Sequence, residues 1–101
     1  MPKLFEYLGM ILMFYSNEHE PIHIHCKYQG SEGRASFIIV DGKIIDIIIS
    51  DVKGKTPLPS KQKKEFETFA AVFKDDIVQK WIDYFIYHKQ IQSITIEGRV
   101  K

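Results

Sequence analysis

The dipeptide Asp41-Gly42 separates two β-branched runs, Arg34–Val40 and Lys43–Ser50, and it constrains this chain more than any other feature. Asp-Gly accepts positive φ at both central positions of a two-residue turn, whose twist matches that of two paired strands. The two runs are therefore expected to form an antiparallel hairpin. Counting outward from the turn, Val40 faces Lys43, Ile38 faces Ile45 and Ser36 faces Ile47. The other face carries Ala35, Phe37, Ile39, Ile44, Asp46 and Ile48. Both faces are largely apolar, so a cover on one side leaves a greasy surface on the other, and a second layer or a partner is implied. Asp46 is the exception. Its carboxylate costs several kcal/mol if buried unpaired, so it is expected at a solvated margin or bonded to a backbone amide.

The rest of the chain supplies elements to pack against that hairpin. Met10–Tyr15 is apolar throughout and reads as a short buried strand after Gly9. A polar loop, Ser16–Pro21, leads into Ile22-His23-Ile24-His25-Cys26, whose alternation has the period of a strand. Gln29–Gly33 reads as a turn cluster and Asp51–Pro59, with Gly54, Pro57 and Pro59, as a connecting loop. Ser60 is expected to cap a helix whose apolar face is Phe66, Phe69, Ala70 and Phe73. Asp75 or Asp76 is expected to cap a second, carrying Ile77, Val78, Trp81, Ile82, Phe85 and Ile86. Ile91, Ile94 and Ile96 form a closing strand. With 101 residues, 45% of them hydrophobic, the chain suits one α+β domain over residues 1–101. The expected architecture is an antiparallel sheet of about four to five short strands with two helices packed on one face.

Three of the four histidines, His19, His23 and His25, lie between Ser16 and Lys27. On a strand His23 and His25 share a face with Cα atoms about 6.6 Å apart, and Cys26 takes the opposite face. Two imidazoles so presented can hold a divalent metal, with His19, Glu18 or Glu20 as further ligands. Such a cluster would support a metal-dependent hydrolase or nuclease. No Cys-x-x-Cys or His-Glu-x-x-His pattern reinforces that chemistry, and a polar recognition surface or a structural role is the favoured reading, with no cofactor. Lys53, Lys55, Lys61, Lys63 and Lys64 place five positive charges in twelve residues with no acidic residue among them. Three of them fall at the start of the first helix, where the dipole disfavours cations. They are a candidate anion-binding group, which Arg34 joins if it projects the same way, and together with the strand of His23 and His25 they form a candidate nucleic-acid-contacting surface.

Composition narrows the partners. A net charge of +1 gives no overall electrostatic case for nucleic acid or an acidic membrane, so any such contact is local. One cysteine excludes an internal disulfide and suits a reducing compartment. The apolar run Leu8–Tyr15 is too short to span a membrane and leads to no cleavage signal, so a cytoplasmic protein is expected. No nucleophile signature, glycine-rich phosphate loop or paired catalytic carboxylates can be made out. Trp81, Tyr84 and Tyr87 read as packing residues, and His88 suits the helix end where it lies.

The segment Phe14-Tyr15-Ser16-Asn17-Glu18 followed by Glu20-Pro21-Ile22-His23-Ile24-His25 resembles the small bacterial domain-of-unknown-function 4160 family. That family shows an acidic residue, two prolines and His-hydrophobic-His after an aromatic strand end and a short polar loop. Ile22 stands where the second proline is usual, and the similarity extends over roughly residues 3–88, with the strand at 91–97 an addition. The resemblance implies a protein encoded beside a partner, in the manner of toxin–antitoxin pairs, and supplies no catalytic residue. Together these readings give a small binding module acting through protein–protein contact, either in a homo-oligomer or with a small protein partner.

Overall fold

The computed structural model describes residues 3–15 and 22–100. Strands β1 (Lys3–Tyr7), β2 (Met10–Met13), β3 (His23–Tyr28), β4 (Ser31–Val40) and β5 (Lys43–Asp51) are followed by helices α1 (Ser60–Val72) and α2 (Lys74–Phe85) and by strand β6 (Ile94–Ile96). One sheet holds the strands in the order β5-β4-β3-β2-β1-β6. The α+β class holds, but the sheet is larger than expected and mixed. The additional strand is β1, and β6 lies parallel to it, pairing Phe5 with Ile94 and Tyr7 with Ile96.

Three two-residue turns build the antiparallel part. Leu8-Gly9, Gln29-Gly30 and Asp41-Gly42 all have positive φ at both positions, the requirement of a tight hairpin that follows strand twist. The expected turn cluster at Gln29–Gly33 is therefore shorter: its last three residues, Ser31-Glu32-Gly33, already belong to β4.

Alternation along the strands directs one set of side chains to the helices. Tyr7, Leu12, Ile24, Cys26, Ala35 and Phe37 join Phe66, Phe69 and Ala70 of α1 and Ile77 and Trp81 of α2 in a single core. Phe69 is at its centre, its ring centroid 5.1 Å from Phe5, 4.7 Å from Tyr7 and 4.5 Å from Phe73. The helical spacing of Phe66, Phe69 and Ala70 thus reports burial correctly. The caps do not follow the expectation. Pro59 is the N-cap of α1 and Phe73 that of α2, neither with a side-chain cap bond. Ser60 is instead the first helical residue, and Asp75 and Asp76 sit inside the first turn of α2, where negative charge suits the dipole.

The β4–β5 hairpin departs from simple counting. Val40 pairs with Lys43 and Ile39 with Ile44, but the register then shifts, so that Ile38 meets Asp46, Phe37 meets Ile47 and Ser36 meets Ile48. Ile45 is the extra residue of a bulge, and the expected Ile38–Ile45 and Ser36–Ile47 pairs do not form. The bulge has a physical reason. Without it Asp46 would lie on the helix-facing side with Ile44; with it Ile47 and Ile49 take that side. Asp46 is exposed, its Oδ1 accepting the Ile47 backbone N–H at 2.8 Å, which is the amide bond expected for it.

Replacing Phe69 by alanine should remove about 3–5 kcal/mol of stability through the cavity it leaves. Urea unfolding checks this, and a loss below about 1 kcal/mol would show that Phe69 is not the centre of the core.

Candidate functional site

His23 and His25 lie on the sheet face turned away from the helices, opposite Ser36 and Arg34 of β4. Their rings are 5.3 Å apart, so the shared face expected from the alternation is present, and Cys26 packs in the core on the other side. Both histidines are buried, at 8% and 6% exposure. Glu32, with 3% exposure, is the group that organises this face. His25 Nδ1 stands 2.9 Å from Glu32 Oε2, and the Tyr15 hydroxyl donates to both carboxylate oxygens, at 2.9 and 3.1 Å. The Tyr15 ring packs edge-on against His25, and Lys27 Nζ lies 5.4 Å from the Tyr15 ring centroid.

A carboxylate this deep is stable only with donors around it. With Glu32 ionised, the proton of a neutral His25 sits on Nδ1, which fixes the ring's tautomer and orientation. The same pairing in an open cleft would prepare an acid–base group; here it is closed over and joins β3 to β4 and the segment after β2. Beside it, Arg34 Nε is shielded and has no hydrogen-bond partner among the described residues. Arg34 is mid-strand on this face, so it does not share the helix layer with the lysines of α1.

Neither Glu32 nor Tyr15 stands out in the sequence as a site residue. The available signal was Gln29-Gly30 read as a two-residue turn: Tyr28 then pairs with Ser31 and Lys27 with Glu32, which brings the carboxylate onto the histidine face. His19, Glu18 and Glu20 lie outside the described residues. Among the described residues no three His, Cys, Asp or Glu side chains gather in a way that could hold a metal ion.

Cys26 is inert by position. Burial, and secondarily the charge of Glu32, push its thiol up to about 12, which leaves almost no thiolate at neutral pH. The five lysines are exposed on the loop after β5 and on α1, whose first turn holds no acidic residue. Lys61, Lys63 and Lys64 stand on α1 and Lys53 and Lys55 on the loop before it, whereas His23 and His25 are buried on the sheet face away from the helices. No described helix is long and apolar enough to cross a membrane.

A cleft of about 1050 Å³ opens between the β4–β5 hairpin and α2, walled by Phe37, Ile39, Ile44, Trp81 and Ile82 and edged by Lys43 and Lys74. Outside it, Val40, Ile45 and Ile48 are 49%, 62% and 48% exposed, although isoleucine and valine are ordinarily inside.

A family model described as "Domain of unknown function (DUF4160)" matches residues 9–82. The chain belongs to that family. The DUF4160 match takes in β2 to β5, α1 and most of α2, and with them Glu32, His23, His25 and the apolar hairpin. β1 and β6, which pair with each other, lie outside it. Neither a search of curated proteins nor one of solved structures returns a match.

Replacing Glu32 by alanine in this DUF4160 protein removes the acceptor shared by Tyr15 and His25. The expected cost is about 1–3 kcal/mol, the penalty for unmaking a buried bond to a charged group. Urea unfolding measures it, and an unchanged midpoint would contradict the structural role given to this carboxylate.

Proposed function

We propose that the protein is a non-enzymatic binding module that acts through protein–protein contact at the β4–β5 hairpin. One observation carries the reading: large apolar side chains, Val40, Ile45 and Ile48, are presented to solvent on the hairpin that ends the sheet. Isolated surface isoleucines need no explanation, but a group of them on one hairpin marks a docking surface. The histidine face supports the same reading, because Glu32, His25 and Tyr15 bond one another inside the protein. A second protein of a toxin–antitoxin-type pair would dock on this hairpin, its apolar side chains entering the cleft beside Trp81 and Ile82 and its acidic groups meeting Lys43 and Lys74.

Val40→Lys combined with Ile45→Lys should leave the melting temperature within about 2–4 °C, because both positions are exposed and such changes cost little. The tagged wild-type chain is expected to retain a stoichiometric protein partner through purification from its own cells, and the double variant to lose it. Retention by the variant, or a wild-type chain that retains nothing, would contradict the reading.

A further inference from the structure

β5 is the outer strand of the sheet, so among the described residues one of its long sides has no neighbouring strand. Two bonds show which residues present that side. The backbone N–H of Phe37 donates to the Ile22 carbonyl at 2.8 Å, on the side of β4 away from β5. The polar groups of a strand residue point to the same side, so Phe37 and Ile47 are a non-hydrogen-bonded pair. Ile47 therefore directs its N–H and C=O outward. In agreement, its N–H is taken by the Asp46 side chain and not by β4. By alternation Ile49 and Asp51 point outward as well, while Asp46, Ile48 and Ser50 bond inward to β4.

The residues beyond the bulge, Asp46-Ile47-Ile48-Ile49-Ser50, are complementary to themselves. We propose that β5 pairs antiparallel with β5 of a second copy of this chain, about a two-fold axis through Ile48. This inference rests on the hairpin being a protein-binding surface, and it names the occupant of its open edge. In that register Ile47 lies opposite the partner's Ile49, both with outward N–H and C=O groups, so the two strands exchange reciprocal backbone bonds on either side of the axis. Ile48 meets its own copy. Asp46 meets the partner's Ser50, whose hydroxyl can donate to the carboxylate as Asp46 releases the Ile47 amide.

Charge selects this register over its neighbours. A two-fold perpendicular to the sheet pairs residues of the same face, so the axis passes through a residue and the alternatives can be taken in turn. Centred on Asp46, the pairing opposes two carboxylates. Centred on Ile47, it sets Asp46 against Ile48 and brings in the bulge at Ile45. Centred on Ile49, it sets Asp51 against Ile47. Of these, the register through Ile48 is the one that sets Ile47, Ile48 and Ile49 against isoleucines and Asp46 against the partner's Ser50, with Asp51 falling at the margin opposite Ile45 of the bulge, and cross-strand pairs of that kind are what stabilise a sheet. The helix side fits as well. A groove of about 520 Å³ lies between β5 and α1, walled by Ile44, Ile47, Ile49 and Ala71 and flanked by Lys63 and Glu67. A two-fold puts both α1 helices on one side of the joined sheet, antiparallel, so that Lys63 of one copy approaches the other copy's Glu67.

The test is cross-linking of the full chain carrying Ile48→Cys, with Ile45→Cys as the control. A non-hydrogen-bonded pair holds its Cα atoms about 4.5 Å apart, within the span of a disulfide. Two copies of position 45 lie about 20 Å apart in this register. Both positions are exposed, and Cys26 stays out of the reaction because it is buried with a raised pKa. The expected result is that the wild-type chain sediments at twice its 11.8 kDa mass, that Ile48→Cys gives a disulfide dimer on mild oxidation, and that Ile45→Cys does not. Ile48→Glu should restore the monomer by setting two carboxylates against each other. A wild-type monomer with no cross-link overturns the pairing, and so does a dimer that cross-links equally through both cysteines. The binding-module reading fails separately, by retention of a different protein in spite of Val40→Lys and Ile45→Lys.

Discussion

The Glu32 carboxylate is the interaction on which the phase of the sheet depends. It is nearly inaccessible, and its donors come from the segment after β2 and from β3. Side chains alternate with a period of two, so a slip of one residue between β3 and β4 would turn Glu32 into the helix-packed core and take it from Tyr15 and His25. The pairing of Lys27 with Glu32 and of His25 with Arg34 is thereby held. Everything outward follows from it. Ala35 and Phe37 face the helices because Glu32 does not, and β5 must then match that phase. The direct continuation of β5 from its turn would carry Asp46 inward, and the bulge at Ile45 prevents this.

The elements whose cause is local were legible in the sequence. The Asp41-Gly42 turn, the helical spacing of Phe66, Phe69 and Ala70, and the common face of His23 and His25 each follow from a few adjacent residues. The two other hairpins were hidden because leucine and glutamine rarely take positive φ; only the glycine after each hints at the turn. β1 was missed because its run Lys3-Leu4-Phe5-Glu6-Tyr7 is short and ends in Leu8, which hides the turn. The parallel pairing of β6 depends on residues about ninety positions apart, and no pattern in either strand announces it.

The candidate site shows the same division. Three histidines in one polar-rich stretch draw attention to chemistry, yet His23 and His25 are buried, and His25 is bonded to a glutamate that the sequence places in a turn cluster. What a carboxylate does depends on whether its neighbours are donors, and those neighbours come from another strand. The surface proposed for contact carries no such cluster. It consists of a valine at the end of β4 and isoleucines on the outer strand β5, where natural sheets ordinarily place charge or a covering element to prevent pairing. Asp46 and the bulge protect the end of β5 near the turn. Beyond them the strand runs on with Ile47, Ile48 and Ile49, where the Asp46 side chain takes the Ile47 amide.

The most direct measurement is amide hydrogen exchange along β5 as the concentration of the chain is raised. The Ile48 amide, directed at β4, should be protected throughout. The Ile49 amide, directed at the open edge, should exchange freely in dilute solution and become protected as the chains associate. If Ile49 is as well protected as Ile48 in the dilute chain, or exchanges freely at every concentration, β5 is not the strand through which this protein binds.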